Sequence, residues 1–203
     1  MNSERNSHRS VGRPREFDMT QALDAAIRIF SERGYHGTSI AELKAEMGLT
    51  AGSLYKAFQD KRDVFVAAYD RYKQVRADLL EQALSSASTG REKVACVVSF
   101  YAMSACGETG RRGCLAIGAA VELVLSDAEI AARVAGHNRK LVTRLEGFIR
   151  DGQLDGSIRH DADPASTALA LFSYLQGVRI AGKTGELENQ LLPSGEAILR
   201  ILD

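Results

Sequence analysis

The stretch Thr38 to Phe58, TSIAELKAEMGLTAGSLYKAF, sets two short helices on either side of a tight turn. Ser39 is an N-cap residue type, and Glu42 three positions later completes a capping box. Ile40, Leu43 and Met47 follow at helical spacing and give one apolar face. Gly48 suits the left-handed residue that ends a helix, and Leu49 turns inward as a plug. Thr50 caps a second helix that directs Leu54 and Phe58 inward. Its other face carries Thr50, Ala51, Gly52, Ser53, Tyr55 and Lys56, all small, hydroxylated or basic. Such a face lies close against phosphates and base edges in a major groove, so residues 38–57 read as a helix-turn-helix.

The flanking segments extend this reading. Residues 1–12 are rich in Ser, Asn and Arg without periodicity and are expected to be a disordered basic arm. Gly12-Arg13-Pro14-Arg15 follows, extended by proline and bendable at glycine. Arg13 and Arg15 on such an arm suit a minor groove; the plainer alternative is a solvated tail. Helix 1 is expected from Asp18, capped by that residue with Gln21, with Leu23, Ala26, Ile27 and Phe30 inside and Gly34 at its end. Asp60 caps a fourth helix whose apolar pattern persists to about Leu84, long enough to leave a three-helix head and enter a second domain. Lys61 and Arg62 in its first turn oppose the helix dipole, so they are expected to serve an external group such as a phosphate.

The charge balance fixes how such a head could work. The 203 residues carry equal numbers of basic and acidic side chains, so affinity for a polyanion must come from local charge. The first fifteen residues supply it, with Arg5, Arg9, Arg13 and Arg15 against Glu4 alone. A hydrophobic content of 45% with 26% charged residues suits a soluble globular chain. No apolar run is long enough for a membrane span, and the polar N-terminus lacks the apolar core of a signal peptide. Three unevenly spaced cysteines suggest no disulfide framework and point to a reducing cytoplasm.

Beyond the break at Ser85 to Gly90 the pattern is again helical. Helix 5 is expected over about Arg91 to Cys106. A loop from Gly107 to Gly113 carries Arg111 and Arg112, and helix 6 runs from Cys114 to Leu125. Ser126 with Glu129 opens a long helix 7 that closes at Asp151-Gly152. Asp163 and Pro164 start helix 8, and helix 9 begins near Pro193. No strand pattern is visible. The expected architecture is all-α, about nine helices: a homeodomain-like helix-turn-helix head over residues 13–74 and a larger helical ligand-binding and dimerisation domain over 75–203.

The motifs GRPR at 12–15, AIRIFSERGYHGTSIAEL at 26–43 and MGLTAGSLYKAFQDKRDVF at 47–65 together resemble the N-terminal domain of the tetracycline-repressor (TetR/AcrR) family of transcriptional regulators. RGCLAIGAAVEL at 112–123 resembles members with Gly-Cys-Leu at the start of helix 6, some of which respond to electrophiles, oxidants or metal ions. The resemblance implies a homodimer that pairs through helices at about 164–182 and 193–202 and binds a palindromic double-stranded operator. A small-molecule effector in the larger domain would change the spacing of the two heads and release the DNA. By the same resemblance Thr38, Thr50, Ser53, Tyr55, Lys56 and Lys61 match phosphate-contacting positions, and Ala51 and Gly52 match base-facing ones. A basic residue is common where Ala51 stands. Alanine can touch a thymine methyl but cannot read guanine bidentately, which shifts specificity toward the arm arginines and DNA shape.

Two chemistries compete for the second domain. One is a cavity for an apolar or amphipathic effector, with Phe100, Met103, Cys114, Ile117, Val121, His137, Leu141, Phe172 and Tyr174 as candidate lining. Each of these also suits ordinary core packing. The other is thiol chemistry: Cys114 at a helix N-terminus beside Arg111 and Arg112 would favour thiolate, with Cys106 across the glycine-bearing loop as a partner. Cys96 and Cys106 lie roughly 15 Å apart on one helix and cannot bridge. Metal binding by Cys114 and His137 lacks ligand spacing. No cofactor is expected. No Ser/His/Asp, Cys/His or paired-carboxylate motif supports an enzyme, leaving a Cys114-dependent one as the remote alternative.

Overall fold

A computed structural model describes residues 18–203, and the arm residues Arg13 and Arg15 lie outside that range. Among the described residues the chain is helical throughout. Helix α1 spans Met19–Arg33, α2 Ile40–Met47, α3 Ala51–Ala57 and α4 Lys61–Leu84. The body follows with α5 Gly90–Ser104, α6 Gly107–Arg112, α7 Leu115–Glu122, α8 Ala128–Asp155, α9 Pro164–Thr184 and α10 Glu188–Leu199. A final 3-10 turn covers Arg200–Leu202.

Local chemistry explains most of the boundaries. The Asp18 carboxylate accepts from the Thr20 and Gln21 amides and starts α1. Ser39 and Glu42 form the reciprocal capping box of α2, and Gly48 ends it at φ 64° in the left-handed region. Thr50 caps α3 through the Ser53 amide, and Asp60 caps α4 through the Asp63 amide. Asp163 caps α9 with Pro164 in the first turn.

Three expectations need correction. The segment 107–113 is not a loop: α6 occupies it, because Gly110 sits against the Ala105 carbonyl where a Cβ would lie 1.9 Å away. The cap of α8 is Asp127 and not Ser126, whose hydroxyl turns back to the Leu123 carbonyl. Helix α10 begins at Glu188, five residues before Pro193, which stands inside it.

Two cores result. One joins α1–α4 to the inner faces of α7 and the start of α8, with Phe30, Leu43, Leu54, Phe65 and Tyr69 fully buried. Phe30, Tyr35 and Phe65 pack edge-to-face and stacked within it. The second binds the far end of α4 to α5, α8, α9 and the C-terminus through Leu80, Val94, Val97, Leu145, Ile149, Leu171, Leu175 and Leu202. Helices α4 and α8 both contribute to the two cores, and α4 is the helix that runs from the head into the body. Helices α5 and α8 touch backbone to backbone at Gly90, where a Cβ would lie 2.1 Å from the Gly152 nitrogen.

Candidate functional site

The outward face of α3 is built by its own cap. Thr50 Oγ1 accepts from the Ser53 amide at 3.2 Å and donates to Ser53 Oγ at 3.0 Å, which turns both hydroxyls to one side. Leu54 is buried, which leaves Ala51, Gly52, Tyr55 and Lys56 exposed. Tyr55 is 57% exposed, pointing outward and not packed beneath α1. A Cβ added at Gly52 would meet nothing within 4 Å, so another molecule can approach the backbone there. Lys56 is the only cation within α3, which makes this a sparsely charged face.

Three expected phosphate-binding residues are instead engaged inside the protein. Thr38 is buried and its hydroxyl donates to the Gly34 carbonyl at 2.7 Å. Lys61 Nζ donates to the Tyr35 and Thr38 carbonyls, both at 3.0 Å, and lies 4.2 Å over the Tyr35 ring. Arg62 turns toward the body and pairs with Asp127 and Glu129 at the start of α8. A lysine and an arginine opposing the helix dipole of α4 therefore satisfy carbonyls and carboxylates that the sequence leaves distant.

Head and body meet at further points. Glu122 at the end of α7 accepts from the His36 amide at 2.9 Å. Arg112 pairs with Glu32, and Lys183 Nζ reaches the Ser31 carbonyl at 3.4 Å. A cleft of about 340 Å³ lies along this junction, and Ile117 and Val121 line it beside Phe30 and Lys183. Val121 is 78% exposed.

Within the body, a small internal cavity of about 40 Å³ lies among α4, α5, α7, α8 and α9. Of the expected lining residues it receives Cys114, His137 and Leu141. Phe100 lines a neighbouring cleft of about 510 Å³ that shares Lys73, Arg76, Tyr101, His137 and Leu141 with the cavity. The other candidates lie elsewhere. Met103 is 66% exposed on α5, Phe172 packs into the second core, and Tyr174 turns to α10, where its hydroxyl meets Ser194 Oγ at 2.9 Å.

The cavity is more polar than an apolar pocket. Lys73, Arg76 and Arg179 enter it with Tyr72, Asn138 and Gln176, and no carboxylate lines it. Arg179 is 3% exposed, and its Nη2 donates to the Gly113 carbonyl at 3.0 Å. Its Nε and Nη1 and the Arg76 Nη2 are buried without a hydrogen-bond partner among the described residues. Sequence reasoning passed over Arg179, yet a signal existed: it continues the buried stripe of Leu171, Leu175 and Gly182 on α9.

Cys114 stands in this cavity with its sulfur 3.3 Å from the Tyr72 hydroxyl. Burial pushes its thiol up, but Arg179, the Tyr72 hydroxyl, the Ile117 amide and Arg76 together bring it below its ordinary value. The expected cations are not the ones responsible: Arg111 pairs with Glu188, and Arg112 with Glu32 and Glu108. Cys106 sits apart, donating to the Ala102 carbonyl, with burial and Glu188 raising its thiol. All three cysteines are free. Burial lowers the Lys73 ammonium and, with Lys73 and Lys140, the His137 imidazole. Among the described residues no group of metal-ligating side chains is present and no helix is long and apolar enough to cross a membrane.

Comparison with known proteins accounts for both halves of this arrangement. Residues 22–68 match the family described as bacterial regulatory proteins, tetR family, and residues 90–188 match the tetracyclin repressor-like C-terminal domain. The HTH-type transcriptional repressor ComR of Escherichia coli K12 is 29% identical over 195 residues, covering 95% of this chain and 92% of its own. A cysteine-substituted form of the TetR family regulator CifR, solved with a 26-base-pair operator, superposes with a TM-score of 0.83 at 28% identity. That match covers 95% of this chain and all of the other. FadR from Bacillus subtilis, solved with stearoyl-CoA, shares the fold with a TM-score of 0.71 at 21% identity, over 91% of this chain and 97% of its own. With an exposed α3 on a capped helix-turn-helix, and matches to the family through head and body alike, the chain belongs to the TetR family of DNA-binding transcriptional regulators.

Proposed function

We propose that this regulator is a cytoplasmic repressor, not an enzyme, that binds a palindromic operator as a homodimer and leaves it when a small effector enters the body. The observation that carries the reading is the face of α3, where Thr50, Ala51, Gly52, Ser53, Tyr55 and Lys56 stand together with open space at Gly52. Ala51 and Gly52 would meet base edges, while Thr50, Ser53, Tyr55 and Lys56 would meet phosphates. Arg13 and Arg15 would add minor-groove contacts from the arm. Thr38 and Lys61 would act by holding the α1–α2 turn in place behind this face.

The dimer reading is supported by a second surface. Ser166, Leu169, Ala170, Ser173, Gly177 and Ile180 form an exposed, uncharged stripe along α9 at helical spacing, and Leu192 is exposed on α10. A paired helix face needs such a surface, and a solvated one would carry charge. A TetR family transcriptional regulator bound to operator DNA and a relative holding an acyl thioester share this fold.

Footprinting on the chain's own upstream region tests the reading. A protected palindrome is expected, with affinity falling as salt rises through counterion release. Tyr55→Ala should weaken operator binding while helicity is kept, and Ile180→Arg should give monomers by light scattering. Absence of a protected site, or binding with no salt dependence, would sink the proposal.

A further inference from the structure

We propose that the effector is a small organic carboxylate whose anionic head is held by Arg179 and Arg76 in the internal cavity, with its apolar tail leading past Leu141 into the neighbouring cleft. This rests on the effector-released reading given above and names the class of molecule.

Charge is the first argument. Arg179 is almost fully buried, yet two of its three nitrogens have no partner among the described residues. Among the described residues neither arginine forms an ion pair. Arg76 donates once, to Ser104 Oγ at 3.2 Å, and otherwise rests on the Phe100 and Tyr101 rings at 4.5 and 5.2 Å. Unpaired buried guanidinium groups are strongly disfavoured, and an arriving anion relieves that penalty. Lys73 lines the same cavity, and no carboxylate among the lining residues stands opposite these basic groups.

Shape is the second argument. A water needs about 10–15 Å³ of such space, so a cavity of about 40 Å³ suits roughly three waters or one carboxylate group. Guanidinium forks match a planar carboxylate with two parallel bonds. A larger body does not fit inside, but the layer of Lys73, Arg76, His137 and Leu141 is shared with the open cleft of about 510 Å³. Leu80, Phe100 and Leu141 give that cleft an apolar floor. At its rim Arg133 and Arg144 are paired with Asp70 and Glu81, which leaves Lys140 and Lys73 as the cleft cations without an acidic partner among the described residues. These two lysines favour the approach of an anion toward the cavity mouth.

The third argument is position. Arg179 and Cys114 line both the cavity and the head–body cleft, so they form the wall between them. A group bound to Arg179 would press on the N-terminus of α7, whose other end holds the His36 amide through Glu122.

The test uses the full chain and calorimetric titration with hexanoate, its neutral isostere hexanamide, and inorganic phosphate. Hexanoate should bind at least about tenfold tighter than hexanamide, because only the anion makes charge-assisted bonds. Arg179→Met and Arg76→Met should each weaken hexanoate by about tenfold or more, whereas Arg144→Met at the rim should change it by less than about threefold. Arg179→Met should not lower the thermal midpoint of the unliganded protein, since it removes a buried unpaired charge. If that variant does not fold, Arg179→Lys and Arg76→Met carry the test. Equal affinity for hexanoate and hexanamide would overturn the proposal in favour of an apolar pocket. Binding of phosphate alone, or no saturable binding by straight-chain carboxylates of two to eight carbons, would overturn it as well. Operator affinity measured on the same samples separates the two readings: intact operator binding without carboxylate binding refutes only this inference, and no operator binding refutes the function.

Discussion

Breaking the pair between Arg62 and Asp127 measures how firmly the DNA-binding head is fastened to the body. Asp127 has two duties: it caps α8 through the Glu129 and Ile130 amides, both at 3.1 Å, and it receives two bonds from Arg62. Asp127→Asn isolates the second, because asparagine caps a helix as well as aspartate does. The side chains are 36% and 16% exposed, so the pair lies between two regimes. Exposed pairs contribute about 0.2–1 kcal/mol, and hydrogen bonds to charged groups about 1.5–3 kcal/mol. A double-mutant cycle of Arg62→Met with Asp127→Asn should therefore give a coupling of about 1 kcal/mol, with each single change lowering the thermal midpoint by about 2–4 °C. Asp127→Ala should lose roughly 1 kcal/mol more by removing the cap. The assay is urea unfolding at fixed protomer concentration, since dimerisation would otherwise contribute. Acid gives an independent check. The Arg62 guanidinium, helped by the Ile130 amide, holds the Asp127 carboxyl at about 2, below its ordinary value. A carboxyl lowered by folding contributes fully above its unfolded pKa of about 4 and loses that contribution as pH falls through about 2. The coupling should be flat from neutral pH to about pH 5, decline from there through about pH 2, and be gone at about pH 1. A coupling below about 0.3 kcal/mol at neutral pH would refute the idea that this contact joins head to body.

Two more outcomes follow from geometry. Gly90→Ala should destabilise the body by about 2 kcal/mol, since its Cβ would fall 2.1 Å from the Gly152 nitrogen and 2.3 Å from the Phe148 carbonyl oxygen; an unchanged thermal midpoint would contradict the close crossing of α5 and α8. Lys61→Met should lower stability and leave the salt dependence of operator binding unaltered, whereas Lys56→Met should reduce the salt slope by about one; the reverse pattern, read from operator affinity across a salt series, would return Lys61 to the phosphates.

Reading the head from sequence succeeds because its signals are local. Ser39 with Glu42, Gly48, Thr50 and Asp60 each fix a helix end through groups three residues away or fewer, so the chain reports them directly. Lys61 and Arg62 show the limit of that logic. Their partners are Tyr35 and Thr38 on one side and Asp127 on the other, and local charge–dipole reasoning has no access to them. The cavity is misjudged for the same reason. Met103 and Val121 suit a pocket wall by their apolar side chains, but the faces they occupy turn outward once α5 and α7 are packed. Arg179 looks like a surface charge until α9 is set against α7. The cationic neighbours of the Cys114 thiol come from α4 and α9, distant in the chain, and not from Arg111 and Arg112 beside it in sequence.

The junction between α1 and the body has a kinematic consequence. A head carried on α4 alone would keep one easy motion, rotation and bending about that helix axis, however stiff the helix itself. Here the Arg62 pair, the Glu122 bond to the His36 amide and the Arg112 bridge to Glu32 attach the same small head at separate points. Attachments that do not share a line with α4 remove the rotation, much as a third leg stops a table from rocking. The distance between two heads in a dimer would then be a dimension of the whole rigid body, and releasing any one attachment would return to the head a swing confined to a single direction.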